Sequence, residues 1–282
     1  HSGALSYRIV SKILGAVTKT SSVTNDELNH GVNASATLVF TLKQQAPNYK
    51  RSLGHFWGLG DMIGGMVNAC HLATKYNYDF LIDVRHHPVS DILRVQHHDH
   101  EADVDACVTE LQFTLATQLE NYVRNSPRKN VLCLFSNGQA SDEAPSEHCL
   151  TKIRRTLSLS RTETANETSY AEVVHIRLGD GEMLEGNDDR TTELENVLEK
   201  LQKVQKSALI LSDSETFQRK VKALGFNVQD HRPAHFGLAE DGDSITGIMK
   251  DFIALSNAKK IYYYSVYDWK SGFLHWATTL GE

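Results

Sequence analysis

No apolar run in this sequence approaches the ~20 residues that a membrane-spanning helix needs. The N-terminal stretch Leu5 to Val17 is amphipathic and too polar for a secretory apolar core, so no signal peptide is expected. Positive charge is not in excess: 29 Lys and Arg stand against 35 Asp and Glu, a net charge of −6. That balance argues against nucleic acid as the main partner, though it leaves room for a local basic pocket. Cysteine is scarce, with 4 in 282 residues (Cys70, Cys107, Cys133, Cys149), and none forms a CxxC pair. The four read as buried or surface thiols of a reducing compartment. Internal repeats and low-complexity tracts are absent. The two sequons, Asn33-Ala-Ser35 and Asn166-Glu-Thr168, are tripeptides that arise often by chance. These absences predict a soluble chain acting in the cytoplasm, although a lumenal protein cut from its anchor would read the same. They leave the oligomeric state open.

What is present is an α/β rhythm. Residues 4–17 read as a helix, 18–35 as a Ser/Thr/Asn-rich loop, and 36–42 as a strand. A short strand is expected at His55-Phe-Trp57, then a glycine turn, a helix over 62–75 and a buried strand over 80–84. The order strand, glycine turn, helix, strand is a βαβ unit of the Rossmann type. Asp105 to Tyr122 carries a helical stripe, 131–135 is a strand, and a helix spans about 147–158. The second half continues with strands at 172–176, 207–211, 226–228 and 260–264 and helices at 192–205, 214–224, 245–258 and 271–280. The expected organisation is an N-terminal helix and loop (1–35), one Rossmann-like half (36–160) and a second (161–282), each with a mostly parallel sheet.

The most informative stretch is His175-Ile-Arg-Leu-Gly-Asp180. A strand ending in His-x-Arg-x-Gly-Asp delivers a fixed cation to a strand-end crevice, where open α/β sheets bind ligands. Arginine suits a phosphate because its planar fork donates two parallel hydrogen bonds and never deprotonates. Leu209-Ile-Leu-Ser-Asp-Ser214 is a second strand terminus, with Ser212 and Asp213 either facing the same crevice or capping the next helix. Gly58-Leu-Gly-Asp61 is a tight turn, weak when taken alone. Ser271-Gly-Phe273 opens a helix whose free N–H groups form an anion site, with Ser271 as a simple N-cap the alternative.

These motifs together resemble the α1,2-, α1,6- and protein O-fucosyltransferases, most closely the nodulation-factor chitin-oligosaccharide α1,6-fucosyltransferases. The resemblance covers about 55–85 and 171–280; residues 86–170 match nothing. It rests on Gly58-Leu-Gly-Asp61 with Leu81-Ile-Asp83, on the His175 motif with Gly179-Asp-Gly-Glu182, on the Ser212-Asp213 strand end, and on Asp251-Phe-Ile-Ala-Leu-Ser-Asn-Ala258 followed by Ser271-Gly-Phe273. The resemblance implies a GT-B-like fold, two Rossmann-like halves facing across a cleft. It also implies an inverting, metal-independent transferase that uses GDP-fucose as donor, a glycan as acceptor and no cofactor. Arg177 would hold the donor's β-phosphate, with His175 beside it. Gly58, Gly60 and Asp61 would lie at the mouth of the cleft. Ser212 and Asp213 would face the donor, Ser271, Gly272 and Phe273 would bind phosphate, and Asp251 would contact the guanine edge. Glu185, ten residues after His175, stands where the family's general base is proposed, with Glu182 and Asp180 as rivals. Two departures stand out: Gly181 replaces a lysine common in the family, and 265–270 is a longer loop. The alternatives are the same scaffold using another nucleotide sugar, or a non-catalytic nucleotide- or glycan-binding module.

His86, His87, His97, His98, Asp99, His100 and Glu101 have the residue types of a metal site. Their spacing fits no known signature, and a solvated polar loop is the expectation. A DxD-type metal site at Asp188-Asp189 is conceivable and not expected.

Overall fold

The computed structural model describes residues 6–8, 36–42, 57–85, 87–93, 112–113, 116–126, 131–136, 144–158, 170–179, 191–239, 241–268 and 271–281. In chain order its elements are β1 (Ser6–Arg8), β2 (Thr37–Thr41), α1 (Leu59–Lys75), β3 (Asp79–Asp83), β4 (Gln112–Phe113), α2 (Ala116–Asn125), β5 (Val131–Ser136) and α3 (Glu147–Thr156). Then come β6 (Glu172–Arg177), α4 (Thr191–Leu201), β7 (Leu209–Ser212), α5 (Glu215–Ala223), β8 (Asn227–Val228), α6 (Gly242–Asn257), β9 (Lys260–Ser265) and α7 (Gly272–Leu280). No helix among the described residues is long and apolar enough to cross a membrane.

Two sheets result. The first has the order β3-β2-β5-β4 with every pair parallel. The second has the order β1-β9-β6-β7-β8, parallel except where β1 runs against β9. Parallel strands covered on both faces read as continuous apolar runs rather than alternations. Leu38, Val39 and Phe40 of β2 and Leu209, Ile210 and Leu211 of β7 are all buried.

The period of two along β6 sorts its side chains between two cores. Val174 and Ile176 join Val197 and Leu201 of α4 and Phe217 and Val221 of α5. Val173, on the other face, joins a larger cluster holding α6 (Ile245, Met249, Phe252), α7 (Leu274, Ala277), α1 (Met62, Met66) and the first sheet (Leu38, Phe40). Helix α7 packs against both α1 and α6. One buried apolar cluster therefore links the first sheet to the inner face of the second, and it fixes the start of α1 beside the start of α7. The expected boundary at 160–161 falls outside the described residues.

The structure corrects several expectations. Ser6–Arg8, read as helix, is a strand that pairs through Ser6↔Tyr263 and extends the second sheet. The strand that feeds the βαβ unit is β2, which pairs parallel with β3; of the short strand expected at 55–57, Trp57 is irregular and the rest lies outside the described residues. Within the stripe over 105–122, Gln112–Phe113 is the strand β4 and a helix runs from Ala116; 105–111 and 114–115 lie outside the described residues. His87 is no solvated loop residue. It is buried, stacked on Phe236 with ring centroids 4.4 Å apart, and its Nδ1 accepts the N–H of Val89 at 3.1 Å. Burial lowers its pKa to about 4. The rest of that histidine cluster, and Asp188-Asp189, lie outside the described residues.

The largest correction concerns cysteine. Cys70 of α1 and Cys149 of α3 are joined in a disulfide across 79 residues, which overturns the thiol reading for this pair. Arg154 of α3 also donates to the carbonyl oxygen of Leu280 at 2.9 Å, placing a cation at the C-terminus of α7. Helix α3 thus ties α1 to α7 from behind. Breaking a cross-link that closes so long a loop removes a large constraint on the unfolded chain. Cys149→Ser is expected to lower stability by about 2–5 kcal/mol, read as a lower thermal midpoint without reductant. The parent should fall to the same level in reductant, and an unchanged midpoint in both arms would show that the bond does not constrain the chain.

Candidate functional site

The carboxyl ends of β6 and β7, the segment after β8, α6 and the starts of α1 and α7 surround a cavity of about 210 Å³. This is the location that parallel α/β sheets reserve for ligands.

Two helix starts meet there. A β-carbon on Gly60 would lie 2.3 Å from the carbonyl carbon of Gly272 and 2.4 Å from the nitrogen of Phe273. Only a residue without a side chain allows that approach. In any α-helix the first-turn N–H groups have no acceptor within the helix. Here the backbone bonds begin at Met62, whose N–H donates to Gly58 at 3.1 Å, and at His275, whose N–H donates to Ser271 at 2.9 Å. Ser271 caps α7 by accepting the N–H of Leu274 at 3.5 Å. Its own N–H donates to the Tyr263 hydroxyl at 3.1 Å, which pins the helix start to β9. Two adjacent helix N-termini superpose their partial positive charges on one spot.

Strand β6 adds a full charge. Period two puts His175 and Arg177 on the face toward α7. Arg177, 27% exposed, directs Nε toward Asp213 at 3.8 Å, and Tyr267 lies 5.9 Å from its guanidinium. Asp213 accepts the N–H of Leu178 at 2.7 Å and of Gly179 at 2.8 Å. It thereby locks the turn that follows Arg177, and Gly179 sits at φ 104°, which other residues rarely adopt. Asp213 therefore organises the β6 turn instead of capping α5; the cap is Ser214, which accepts the N–H of Phe217 at 3.1 Å. Ser212 accepts the N–H of Ser214 at 3.2 Å. Asp61 accepts the N–H of Gly58 at 3.3 Å.

His175 is buried between Tyr263, at 5.7 Å, and Phe273, at 5.9 Å. Its Nδ1 has no partner. Burial, helped by Arg177, lowers its pKa to about 3, so it is a neutral ring at physiological pH. Asp251, on α6, is half-buried. Its Oδ2 lies 3.2 Å from His231 Nε2, and its Oδ1 has no partner. Burial raises its pKa and the neighbouring imidazole opposes that rise. Orphaned buried acceptors are costly in a ligand-free core, and ligand sites are where they are tolerated.

Every residue expected to bind the donor lines this cavity: Gly58, Gly60 and Asp61, His175 and Arg177, Ser212 and Asp213, Asp251, and Ser271, Gly272 and Phe273. The candidate bases Asp180, Glu182 and Glu185 lie outside the described residues. Sequence reasoning missed the segment after β8, from which His231, Pro233, Ala234, His235 and Phe236 line the cavity, and it missed Ile248 of α6. A glycine-bounded loop at the carboxyl end of a predicted strand, carrying two histidines and a proline, was the available signal. It is seated by Gly237, where a β-carbon would lie 2.5 Å from the Trp57 oxygen.

No family model matches the sequence, and no curated protein matches it. Solved structures do match by fold. A NodZ α1,6-fucosyltransferase soaked with GDP-fucose superimposes with a TM-score of 0.54 at 12% identity, covering 87% of this chain and 92% of that one. The fucosyltransferase NodZ from Bradyrhizobium gives 0.51 at 11% identity over 87% and 93%. A third NodZ structure, co-crystallised with GDP, gives 0.52 at 11% over 87% and 92%. The chain shares the α/β fold of these fucosyltransferases.

Gly60→Ala is expected to force the two helix starts apart. Overpacking of this kind costs about 1–3 kcal/mol, and the variant should bind inorganic pyrophosphate at least tenfold more weakly. Gly242→Ala, where a β-carbon would meet nothing within 4 Å, serves as the control. Equal pyrophosphate affinity in the two variants would show that the contact between helix starts is not part of the site.

Proposed function

We propose that this protein is an inverting, metal-independent glycosyltransferase of GT-B-like architecture that transfers fucose from GDP-fucose to a hydroxyl of a glycan acceptor. The observation that supports the reading best is the convergence of Arg177 with the starts of α1 and α7 on one cavity. A nucleotide sugar leaves a diphosphate behind when its anomeric bond breaks. A guanidinium and two sets of oriented amides stabilise that growing charge without reorganising. They supply what a divalent cation supplies elsewhere, so the chemistry needs none.

In this reading a carboxylate in the sequence that follows Gly179 takes the proton of the acceptor hydroxyl. The oxygen forms a bond to the anomeric carbon as the bond to the β-phosphate oxygen breaks, and the electron pair leaves with GDP. Glu185 is the first choice for the base, with Glu182 and Asp180 behind it. The neutral ring of His175 lies too deep to serve. The buried acceptor of Asp251 favours guanine, whose N1–H and N2–H₂ are both donors, over uracil. The neighbouring folds include one soaked with GDP-fucose, which makes that donor the first to try. The Cys70–Cys149 disulfide favours an oxidising compartment over the cytoplasm.

The reading is tested by incubating the protein with GDP-fucose and a panel of oligosaccharide acceptors in EDTA and measuring GDP release. Arg177→Ala should lose on the order of 2–3 kcal/mol of donor binding with its fold intact, and Arg177→Lys should not restore it. Replacing the base carboxylate by its amide should lower kcat by about 10²–10⁴-fold with donor binding retained. Glu185→Gln comes first, then Glu182→Gln and Asp180→Asn. Tight GDP binding by the parent with no turnover on any acceptor would favour a binding module, and normal turnover by Arg177→Ala would remove the proposal.

A further inference from the structure

We infer that His231 is the positioning residue for Asp251, and that the pair makes the cavity selective for a purine carrying both a ring N–H and an exocyclic amino group, guanine over hypoxanthine. The inference rests on the nucleotide reading above and deepens it. His231 lies on the loop after β8, which no motif marks. Its ring is seated against the backbone of α6: a β-carbon on Gly247 would lie 2.5 Å from His231 Cδ2. Gly247 precedes Asp251 by one helical turn, so both occupy the same face of α6. The side chains are 20% and 17% exposed, and His231 Nε2 stands 3.2 Å from Asp251 Oδ2, an ion-pair contact without hydrogen-bond alignment.

A carboxylate read by a base edge must meet two demands. Its plane must be held, because two donors at fixed spacing are met only at one rotation about the terminal torsion, which is otherwise soft. It must also stay ionised, since a protonated carboxyl turns one acceptor into a donor and opposes N1–H. Burial works against the second demand at Asp251, and the His231 donor works for it. At 3.2 Å a small rotation of the imidazole aligns Nε2–H on Oδ2, and the bond so made meets both demands. It fixes the plane, it favours the anion, and it leaves the second lone pair of Oδ2 and all of Oδ1 as acceptors. Oδ1 is buried without a partner, as a site waiting for a ligand donor requires. Ile248 and Phe236 supply apolar cavity wall beside the pair. Hypoxanthine keeps N1–H and lacks the amino group; uracil offers a single ring donor.

Calorimetry with GDP, IDP and UDP on the parent, His231→Phe, His231→Gln and Asp251→Asn tests this. Phenylalanine keeps a flat ring over Gly247 and removes the donor, whereas glutamine keeps a donor of similar reach. The parent should prefer GDP to IDP by on the order of tenfold, the worth of one well-made hydrogen bond. His231→Phe should bring that ratio close to one by weakening GDP more than IDP, which also loses part of its N1–H contact, and His231→Gln should keep more of the ratio than His231→Phe. His231→Met, a second non-donor variant, carries the same expectation if the phenylalanine variant does not fold. A non-donor variant that keeps the GDP:IDP ratio, one that weakens GDP and IDP equally, or a glutamine variant no better than phenylalanine overturns the inference. Its failure is distinct from failure of the base assignment: if Asp251→Asn also keeps the ratio, Asp251 does not read the base at all.

Discussion

The contact between the first turns of α1 and α7, at Gly60 and Gly272, is the constraint on which the site depends. Helix starts repel one another, because each presents unsatisfied N–H groups and a partial positive charge. Holding two of them within van der Waals contact of backbone therefore needs an outside force. The force here is apolar burial. Helices α1, α6 and α7 share one core with the first sheet, and α3 reinforces it by the Cys70–Cys149 disulfide and the Arg154 cap on α7. The hydrophobic core supplies the energy, and the helix starts hold it as a positive electrostatic potential in the cavity.

The cavity's polar groups divide by whether their hydrogen bonds are made. Asp213, Asp61, Ser212 and Ser271 bond to backbone N–H groups and shape the turns around the cavity. His175 Nδ1 and Asp251 Oδ1 are buried without partners. An unsatisfied buried acceptor is a cost that a ligand donor removes. These two atoms stand on two different elements of the cavity wall, β6 and α6.

Much of this was legible from local sequence. His-x-Arg-x-Gly-Asp, Ser212-Asp213 and Ser271-Gly-Phe273 each sit where a strand ends or a helix begins, and the physics of those positions depends on a few neighbouring residues. What was not legible depends on partners far along the chain. Ser6–Arg8 is a strand only because β9 offers it an open edge. The disulfide needs α1 and α3 side by side before 79 intervening residues can be bridged. The His231–Phe236 loop has no periodicity; Trp57 and Gly247, from distant parts of the chain, seat it. His87 read in sequence like the other histidines near it, and only the stacking of Phe236, far along the chain, marks it as buried.

The central claim is that the cavity is built for a diphosphate, and the most direct test is how affinity depends on phosphate number. Guanosine, GMP and GDP should be titrated calorimetrically into the protein in EDTA at low and moderate salt. The account predicts a steep rise from guanosine to GDP, with the last phosphate contributing about 2 kcal/mol or more through charge-assisted bonds and weakening as salt rises. Equal affinity for all three, or no binding of GDP without a divalent cation, would contradict it.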